Sequence, residues 1–144
     1  MIKRKVVVTG IGIVCPVGNT VTDAWANLSA GKSGITRITR FDPSNLPSQI
    51  AGEVKGFDIG TYISPKEARR SDIFIHYGIA ASMQAFRDSG IVVTEQNAER
   101  IGVNVGSGIG GLPMIEDTHN ARLEGGWKKI SPLFIAGSII NLTA

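Results

Sequence analysis

The sequence predicts an α/β fold in which a mainly parallel sheet is covered by helices. Short apolar runs typical of strands alternate with segments of helical pattern, which is the order that parallel sheets require. The 144 residues are 42% hydrophobic and 19% charged, and the longest apolar runs are shorter than a membrane span. We therefore expect one domain, no second domain and no membrane segment.

The first strand and the first helix follow from local patterns. Residues 6–9 form a β-branched run that ends at Gly10, which is typical of a strand buried on both faces. Over residues 20–30 apolar side chains recur at helical spacing, and Gly31 follows as a stop signal. The next stretch, residues 32–60, is expected to be mostly irregular surface.

Two further elements are predicted between residues 50 and 89. Residues 50–54 suggest an edge strand within the irregular stretch. Ser64, Pro65 and Glu67 form a strong helix start, with a capping serine and an acidic partner that completes a capping box. The helix is expected to continue to Ser89. Its residues 73–86 are apolar nearly all round, which predicts burial in a protein larger than this segment.

After a predicted strand at residues 101–105, the chain enters a glycine-rich loop. The loop holds four glycines between Val105 and Leu112, and a fifth, Gly102, lies in the predicted strand; Ile109 is the one bulky side chain of the loop. Glycine is tolerated at this density where the backbone needs positive φ or where another group approaches it closely. We therefore expect another group to approach the backbone of this loop.

Two helices are predicted in the remaining residues. One covers residues 113–124 and is closed by Gly125 and Gly126, and another begins near Ala136. The sequence stops at Ala144 within an apolar run, so we expect the chain to be a fragment of a longer protein.

The Gly10-x-Gly12 pair after the first strand invites comparison with dinucleotide-binding fingerprints. The next glycine, Gly18, lies too far along, and Pro16 intervenes, so nucleotide binding is not expected. The net charge of +3 is small and scattered, which argues against nucleic-acid binding.

Cys15 is the single cysteine, so the sequence gives no sign of a disulfide or an oxidising compartment. As a nucleophile it would need an activating base, and His76 and His119 are the candidate histidines. His76 falls in the apolar helix and is expected to be a hydrogen-bonded core residue, whereas His119 is expected to be solvated. No catalytic role and no metal site are predicted for these residues.

Two basic groups stand out. Lys66, Arg69 and Arg70 have helical spacing and are expected to share one helix face. Near a helix N-terminus these cations oppose the macrodipole, by about 0.3–1 kcal/mol each, which points to another benefit. Lys128 and Lys129 form the second group. A solvated basic surface and a dock for an acidic protein or phosphate both fit this pattern.

Seven segments of the chain together carry a family resemblance. In chain order they are RKVVVTGIGIVCPVGNT, AGKSGI, FDPS, AGEVKGFD, PKEARRSD, RIGVNVGSGIGGL and KISPLFIAGSIIN. In this order and spacing they resemble the N-terminal third of the β-ketoacyl-[acyl-carrier-protein] synthase II family, and the resemblance covers all 144 residues. It implies an α/β thiolase-like fold, layered as helix, sheet, helix, sheet, helix, of which residues 1–144 are an incomplete N-terminal half of a ketosynthase domain.

The resemblance implies an acyltransferase of fatty acid biosynthesis. Such enzymes condense an acyl group with malonyl-[acyl-carrier-protein], giving 3-oxoacyl-[acyl-carrier-protein] and CO2. A cysteine thiolate accepts the acyl group, and two histidines assist decarboxylation and stabilise the thioester oxyanion. These three residues are expected beyond Ala144, so the chain alone should be inactive. The resemblance also implies a cytoplasmic homodimer without a cofactor, because substrates arrive on the phosphopantetheine arm of acyl carrier protein.

Particular positions match functional residues of the family. Ile109 matches the side chain that gates the acyl pocket, and Phe134 matches one that reaches this pocket from the partner subunit. The basic residues match the docking surface for acyl carrier protein, which is acidic; they are Lys66, Arg69, Arg70, Lys128 and Lys129. Two alternatives remain: a non-catalytic ketosynthase-like chain-length partner subunit, and a stand-alone module that binds acidic proteins.

Overall fold

The computed structural model describes residues 4–144, which form two compact units. The first unit comprises the described residues up to Asp58 together with Ala81–Gly90, and the second comprises Ile59–Ala80 and Ile91–Ala144. The helices are α1 (Val21–Ser29), α2 (Pro65–Ala68), α3 (Ile73–Ser89), α4 (Leu112–Gly125) and α5 (Phe134–Ser138), and the strands are β1 (Ile35–Arg37) and β2 (Ile50–Gly52). Within the described residues, no helix is both long and apolar enough to span a bilayer.

Helix α1 begins and ends close to the predicted residues. The Thr20 hydroxyl accepts a hydrogen bond from the Asp23 N–H at 3.1 Å, and Gly31 follows the helix with φ +67°. These contacts satisfy free backbone groups at the first turn and let the chain turn away after the last. Ala24 is buried, but 70% of the Trp25 surface is exposed, so the apolar face of α1 is only partly covered.

Strands β1 and β2 form an antiparallel pair. Ile35 lies opposite Gly52, and Arg37 lies opposite Ile50. The pairing confirms the edge strand predicted from residue 50 and shortens it. Its partner β1 lies in the stretch that was expected to be irregular, because three residues are too few to show an alternating pattern.

Glu53 follows β2 and holds the chain that leaves β1. Its carboxylate accepts hydrogen bonds from the Thr39 hydroxyl at 2.7 Å and from the backbone N–H groups of Thr39 at 3.0 Å and Arg40 at 3.1 Å. These bonds, led by that of the Thr39 hydroxyl, lower the pKa of Glu53 because they favour the ionised form.

The lowered pKa predicts a pH-dependent contribution of Glu53 to stability. The ionised carboxylate stabilises the folded chain above its ordinary pKa of 4.5, and this contribution is lost as the pH falls through the lowered pKa. We therefore expect Glu53→Gln to lower the urea midpoint of unfolding at neutral pH. Below pH 4.5 we expect the midpoints of the variant and the unaltered protein to converge. Glu95→Gln, at an exposed position, is the control. A midpoint difference that stays constant with pH would contradict this account.

The two expected parallel strands do not form among the described residues. Neither residues 6–9 nor residues 101–105 take part in a β-ladder, and they belong to different units. Val6 is 93% exposed and Val103 is 71% exposed. A strand requires a neighbour that pairs with its N–H and C=O groups, and the described residues supply none there. The prediction of one buried sheet containing both segments is therefore wrong for this chain.

The prediction of a single helix from Ser64 to Ser89 is also wrong, because the helix is interrupted between α2 and α3. The Asp72 carboxylate accepts a hydrogen bond from the Ile73 N–H at 2.6 Å, and a new helix begins there. Serine and aspartate compete with helical hydrogen bonds in this way. His76 Nε2 lies 3.0 Å from the Ala68 carbonyl oxygen, across the break. Because a carbonyl only accepts, Nε2 carries a proton.

The remaining helices agree with the sequence more closely. In α3, Ile75 and Ala80 are buried while Phe86 is 45% exposed, so the expected burial on every side is met only in part. Helix α4 is followed by Gly126 with φ +72°, which confirms the predicted stop. Helix α5 confirms the last predicted helix and begins at Phe134.

Candidate functional site

The glycine-rich loop, α4 and α5 meet in the second unit. The Gly111 N–H donates a hydrogen bond to the Ser138 carbonyl oxygen at 2.9 Å. Gly110 has φ +91°, and a Cβ there would lie 2.5 Å from the same oxygen. Both reasons for dense glycine, positive φ and close approach, therefore apply at Gly110. The expected close approach is confirmed at Gly110 and Gly111, whereas a Cβ at Gly102, Gly106 or Gly108 would meet no described atom within 4 Å.

Ile109 and Phe134 lie on the two segments that this contact joins. Ile109 precedes Gly110, and 67% of its surface is exposed. Phe134 is the first residue of α5 and is half-buried, and its carbonyl oxygen accepts a hydrogen bond from the Ser138 hydroxyl at 2.6 Å. The structure thus brings the segments carrying both residues together. Their role in an acyl pocket stays a prediction.

Asp72 is a buried residue at this site that the sequence analysis missed. Its carboxylate accepts a hydrogen bond from the Met114 N–H at 2.7 Å, and its own N–H donates to the Gly137 carbonyl oxygen at 3.0 Å. The residue therefore contacts the beginning of α4 and the end of α5. The sequence signal was available, because Ser71 and Asp72 interrupt an otherwise helical pattern.

The first basic group lies at a helix C-terminus. Lys66, Arg69 and Arg70 are all exposed, as expected of a binding or solvated surface. Helix α2 is a single turn, so only Lys66 lies within it, while Arg69 is its C-cap and Arg70 follows, where the helix dipole favours positive charge. The expectations that the three cations share one helix face and that the two arginines oppose the dipole are therefore wrong. The Ser64 hydroxyl, its backbone N–H and the nearby cations hold the pKa of Glu67 below its usual value.

The second basic group occupies a short 3-10 turn, Trp127–Lys129, directly after α4. Lys128 and Lys129 are exposed, and the Lys129 side chain lies against Gly125. Trp127 beside them is 75% exposed. The two basic groups are thus presented on separate elements of the second unit, and their role in docking stays a prediction.

The Gly10-x-Gly12 pair has a packing role in the first unit. A Cβ at Gly12 would overlap the Ala81 carbonyl oxygen of α3, and one at Gly10 would overlap that of Ala85. Beside them the Ile13 N–H donates a hydrogen bond to Gln84 Oε1 at 3.2 Å. Close approach of this segment to the helix therefore accounts for both glycines without a nucleotide.

Cys15 lies in a tight turn in which its N–H and C=O groups both bond to Gly18, at 2.9 and 3.1 Å. It belongs to the first unit, whereas His76 and His119 belong to the second. His76 is half-buried and hydrogen-bonded, and His119 is exposed, as expected. Among residues 4–144, no three or more His, Cys, Asp or Glu side chains are grouped so that they could hold a metal ion.

The sequence matches the profile of the family described as "Beta-ketoacyl synthase, N-terminal domain" over residues 3–144. It is 55% identical over 144 residues to "3-oxoacyl-[acyl-carrier-protein] synthase 2" of Vibrio cholerae serotype O1 (strain ATCC 39315 / El Tor Inaba N16961). That alignment covers 100% of this chain and 35% of the Vibrio protein, so the chain spans about a third of the length of this relative.

Two solved structures are similar to the chain. "The ishigamide ketosynthase/chain length factor" superposes with a TM-score of 0.77 and 27% identity, over 95% of this chain and 34% of the other. A chain of the complex "AntDE:AntF (apo): type II PKS acyl-carrier protein in complex with its ketosynthase bound to the hexaketide" superposes with a TM-score of 0.74 and 27% identity, over 95% of this chain and 37% of the other. The likeness confirms the α/β thiolase-like fold class expected from the sequence.

Proposed function

The chain belongs to the β-ketoacyl synthase family, and from this premise we propose that it is part of a 3-oxoacyl-[acyl-carrier-protein] synthase that elongates fatty acids. In the proposed reaction, the acyl group on an enzyme thiol is transferred to the carbon that malonyl-[acyl-carrier-protein] exposes on losing CO2. A carbon–carbon bond forms, the enzyme thioester breaks, and 3-oxoacyl-[acyl-carrier-protein], CO2 and the free thiol result.

The observation that carries this proposal is the 55% identity over every residue of the chain to a 3-oxoacyl-[acyl-carrier-protein] synthase 2. The nucleophilic cysteine and the two histidines are assigned to the rest of the protein. The backbone N–H and C=O groups of Cys15 form hydrogen bonds with Gly18 in the first unit, whereas His76 and His119 belong to the second unit. We expect the protein to work without a cofactor, as a homodimer, in the cytoplasm.

This chain contributes the loop that carries Ile109, which we assign as the gate of the acyl pocket. The backbone directly after it is fixed, because Gly110 and Gly111 both lie against the Ser138 carbonyl oxygen. The exposed Ile109 side chain can move on this fixed base without displacing α4 or α5. Phe134 begins α5, the helix that contains Ser138, and is assigned to the pocket of the partner subunit.

The exposed basic residues are assigned to docking of acyl carrier protein. One of the similar solved structures is a ketosynthase in complex with a type II PKS acyl-carrier protein, which supports a carrier protein as partner here. Lys66, Arg69 and Arg70 follow one another on and after α2, and their exposure leaves them able to meet an acidic surface. Charges at the rim of an interface mainly increase the association rate and its salt dependence.

Reversing two of these charges should weaken the use of carrier-linked substrates. In the whole protein, Arg69→Glu combined with Arg70→Glu is expected to raise KM for acyl-[acyl-carrier-protein] about tenfold at low salt and to flatten its salt dependence. Acyl-coenzyme A substrates, which lack the acidic carrier, should be affected much less. Arg87→Glu, at an exposed arginine of the first unit, is the matched control. An unchanged KM of the double variant for acyl-[acyl-carrier-protein] at low salt would contradict the docking assignment.

The alternative is a non-catalytic chain-length partner subunit. One of the similar solved structures is named a ketosynthase/chain length factor, but the identity to it is 27%, against 55% to the synthase, which favours the synthase. The deciding experiment supplies the whole protein with acyl- and malonyl-[acyl-carrier-protein] and measures CO2 and 3-oxoacyl product. Product formation by the protein alone supports the synthase, whereas product that requires a second, catalytic ketosynthase supports the partner subunit.

The stand-alone binding module is tested by the same assay. If the 144-residue chain is part of a synthase, the chain by itself is expected to form no product, because the residues that attack the thioester are assigned elsewhere. The whole protein should be active under identical conditions. Absence of condensation in both preparations, together with tight binding of acyl carrier protein by the short chain, would favour the binding module.

A further inference from the structure

We propose that Asp72 is a positioning residue for acyl-chain selection, which fixes the glycine-rich loop and α5 against each other. Through them it sets the positions of Ile109 and Phe134. The inference rests on the proposed function, because both residues act on an acyl chain only in a synthase. Asp72 itself touches no reacting atom in this account.

The first observation is that one residue joins three helices, two through its carboxylate and the third through its backbone N–H. Asp72 Oδ1 accepts the Ile73 N–H of α3 at 2.6 Å, and Oδ2 accepts the Met114 N–H of α4 at 2.7 Å. The Asp72 N–H donates to the Gly137 carbonyl oxygen of α5 at 3.0 Å. Each of these groups lies within one turn of a helix end, so the contact fixes helix ends and the loops that lead into them.

The second observation concerns the start of α4. Its N-cap residue is Gly111, which has no side chain that could satisfy the free N–H groups of the first turn. Asp72 supplies the missing acceptor from another element. The residue is only 6% exposed, and a buried carboxylate is costly unless hydrogen bonds and positive charge compensate it. The N-terminal ends of α3 and α4 provide both.

The third observation links Asp72 to the loop itself. A Cβ at Gly111 would lie 2.8 Å from both Cβ and Oδ2 of Asp72, so the loop backbone rests directly on this side chain. The same Gly111 donates its N–H to Ser138 of α5, and it lies two residues after Ile109. A displacement of Asp72 is therefore expected to move the loop backbone that directly follows Ile109. Through Gly137 it is expected to move α5, which begins at Phe134.

The test compares acyl chain lengths in the whole protein carrying Asp72→Asn. Asparagine has the same size but turns an N–H donor toward a backbone N–H, so one of the two carboxylate contacts is lost. We expect the ratio of kcat/KM for a long over a short acyl-[acyl-carrier-protein] to fall about tenfold, because only long chains reach behind Ile109. The ratio does not depend on the fraction of folded enzyme, so a merely structural role would leave it unchanged.

Asp88→Asn is the matched control. Asp88 lies in α3, the helix that Asp72 directly precedes, and its carboxylate also accepts a backbone N–H, that of Ile11 at 2.9 Å, but it belongs to the first unit. The control should keep the ratio of the unaltered protein. A ratio for Asp72→Asn that equals the control overturns the proposal.

Gly111→Ala decides the matter if Asp72→Asn does not fold. It leaves every hydrogen-bonding group in place but pushes the loop away from Asp72, and the same fall in the ratio is expected; an unchanged ratio overturns the proposal. Failure of the proposed function looks different. In that case the unaltered protein forms no 3-oxoacyl product with either chain length, and both the function and this inference are rejected.

Discussion

Replacing Ile109 by phenylalanine in the whole protein is expected to abolish most elongation of medium and long acyl chains while sparing the shortest primers. Ile109 is the bulky side chain of a loop whose other residues are small, and the backbone after it is held by Ser138. A larger ring in this position reduces the space for substrate. Each methylene denied burial costs about 0.8 kcal/mol, so two lost methylenes lower kcat/KM about fifteenfold and four about two-hundredfold.

The measurement is a profile of kcat/KM against acyl chain length. Ile50→Phe is the matched control, because Ile50 is 61% exposed and Ile109 is 67% exposed, and Ile50 belongs to the first unit. The control profile should follow that of the unaltered protein. If Ile109→Phe lowers the rate uniformly at all lengths, or leaves it unchanged, Ile109 does not gate the pocket.

The second large effect is expected for Gly12→Ala. The added Cβ would meet the Ala81 carbonyl oxygen, and it would lie 2.8 Å from both the Ala85 nitrogen and the Gln84 Cβ, so backbone blocks it on α3. A helix backbone cannot shift locally without losing its own hydrogen bonds. We therefore expect the free energy of unfolding to fall by about 3 kcal/mol, the upper part of the range for overpacking.

Denaturant unfolding of the whole protein measures this loss. Gly102→Ala is the matched control, because a Cβ there meets no atom within 4 Å among the described residues. Neither glycine has a positive φ, so the two variants differ in steric contact and not in backbone strain. Equal midpoints for the two variants would show that residues 10–13 do not pack tightly on α3 in solution.

The sequence was informative where structure depends on neighbours along the chain. The capping box at Ser64 and the glycine stop after α4 were both predicted, because capping groups and positive φ act within a few residues. The order of its motifs was equally sufficient to indicate the β-ketoacyl synthase family. Ile109 was singled out as a lone bulky residue among glycines, and the loop indeed lies against α5.

Only the tertiary structure decided features that depend on distant partners. Residues 6–9 have the pattern of a buried strand, yet a pattern does not supply the neighbour that a β-ladder needs, and Val6 stays 93% exposed. Asp72 gave only a local sign of interrupting a helix, because its partners Met114 and Gly137 lie far along the chain. The sequence alone therefore determined the ends of α1, the start of α2, the end of α4, the glycine loop and the family, since local hydrogen bonds and motif order encode them. The tertiary structure decided which strands pair and which carboxylate holds the loop, since these depend on contacts between residues remote in sequence.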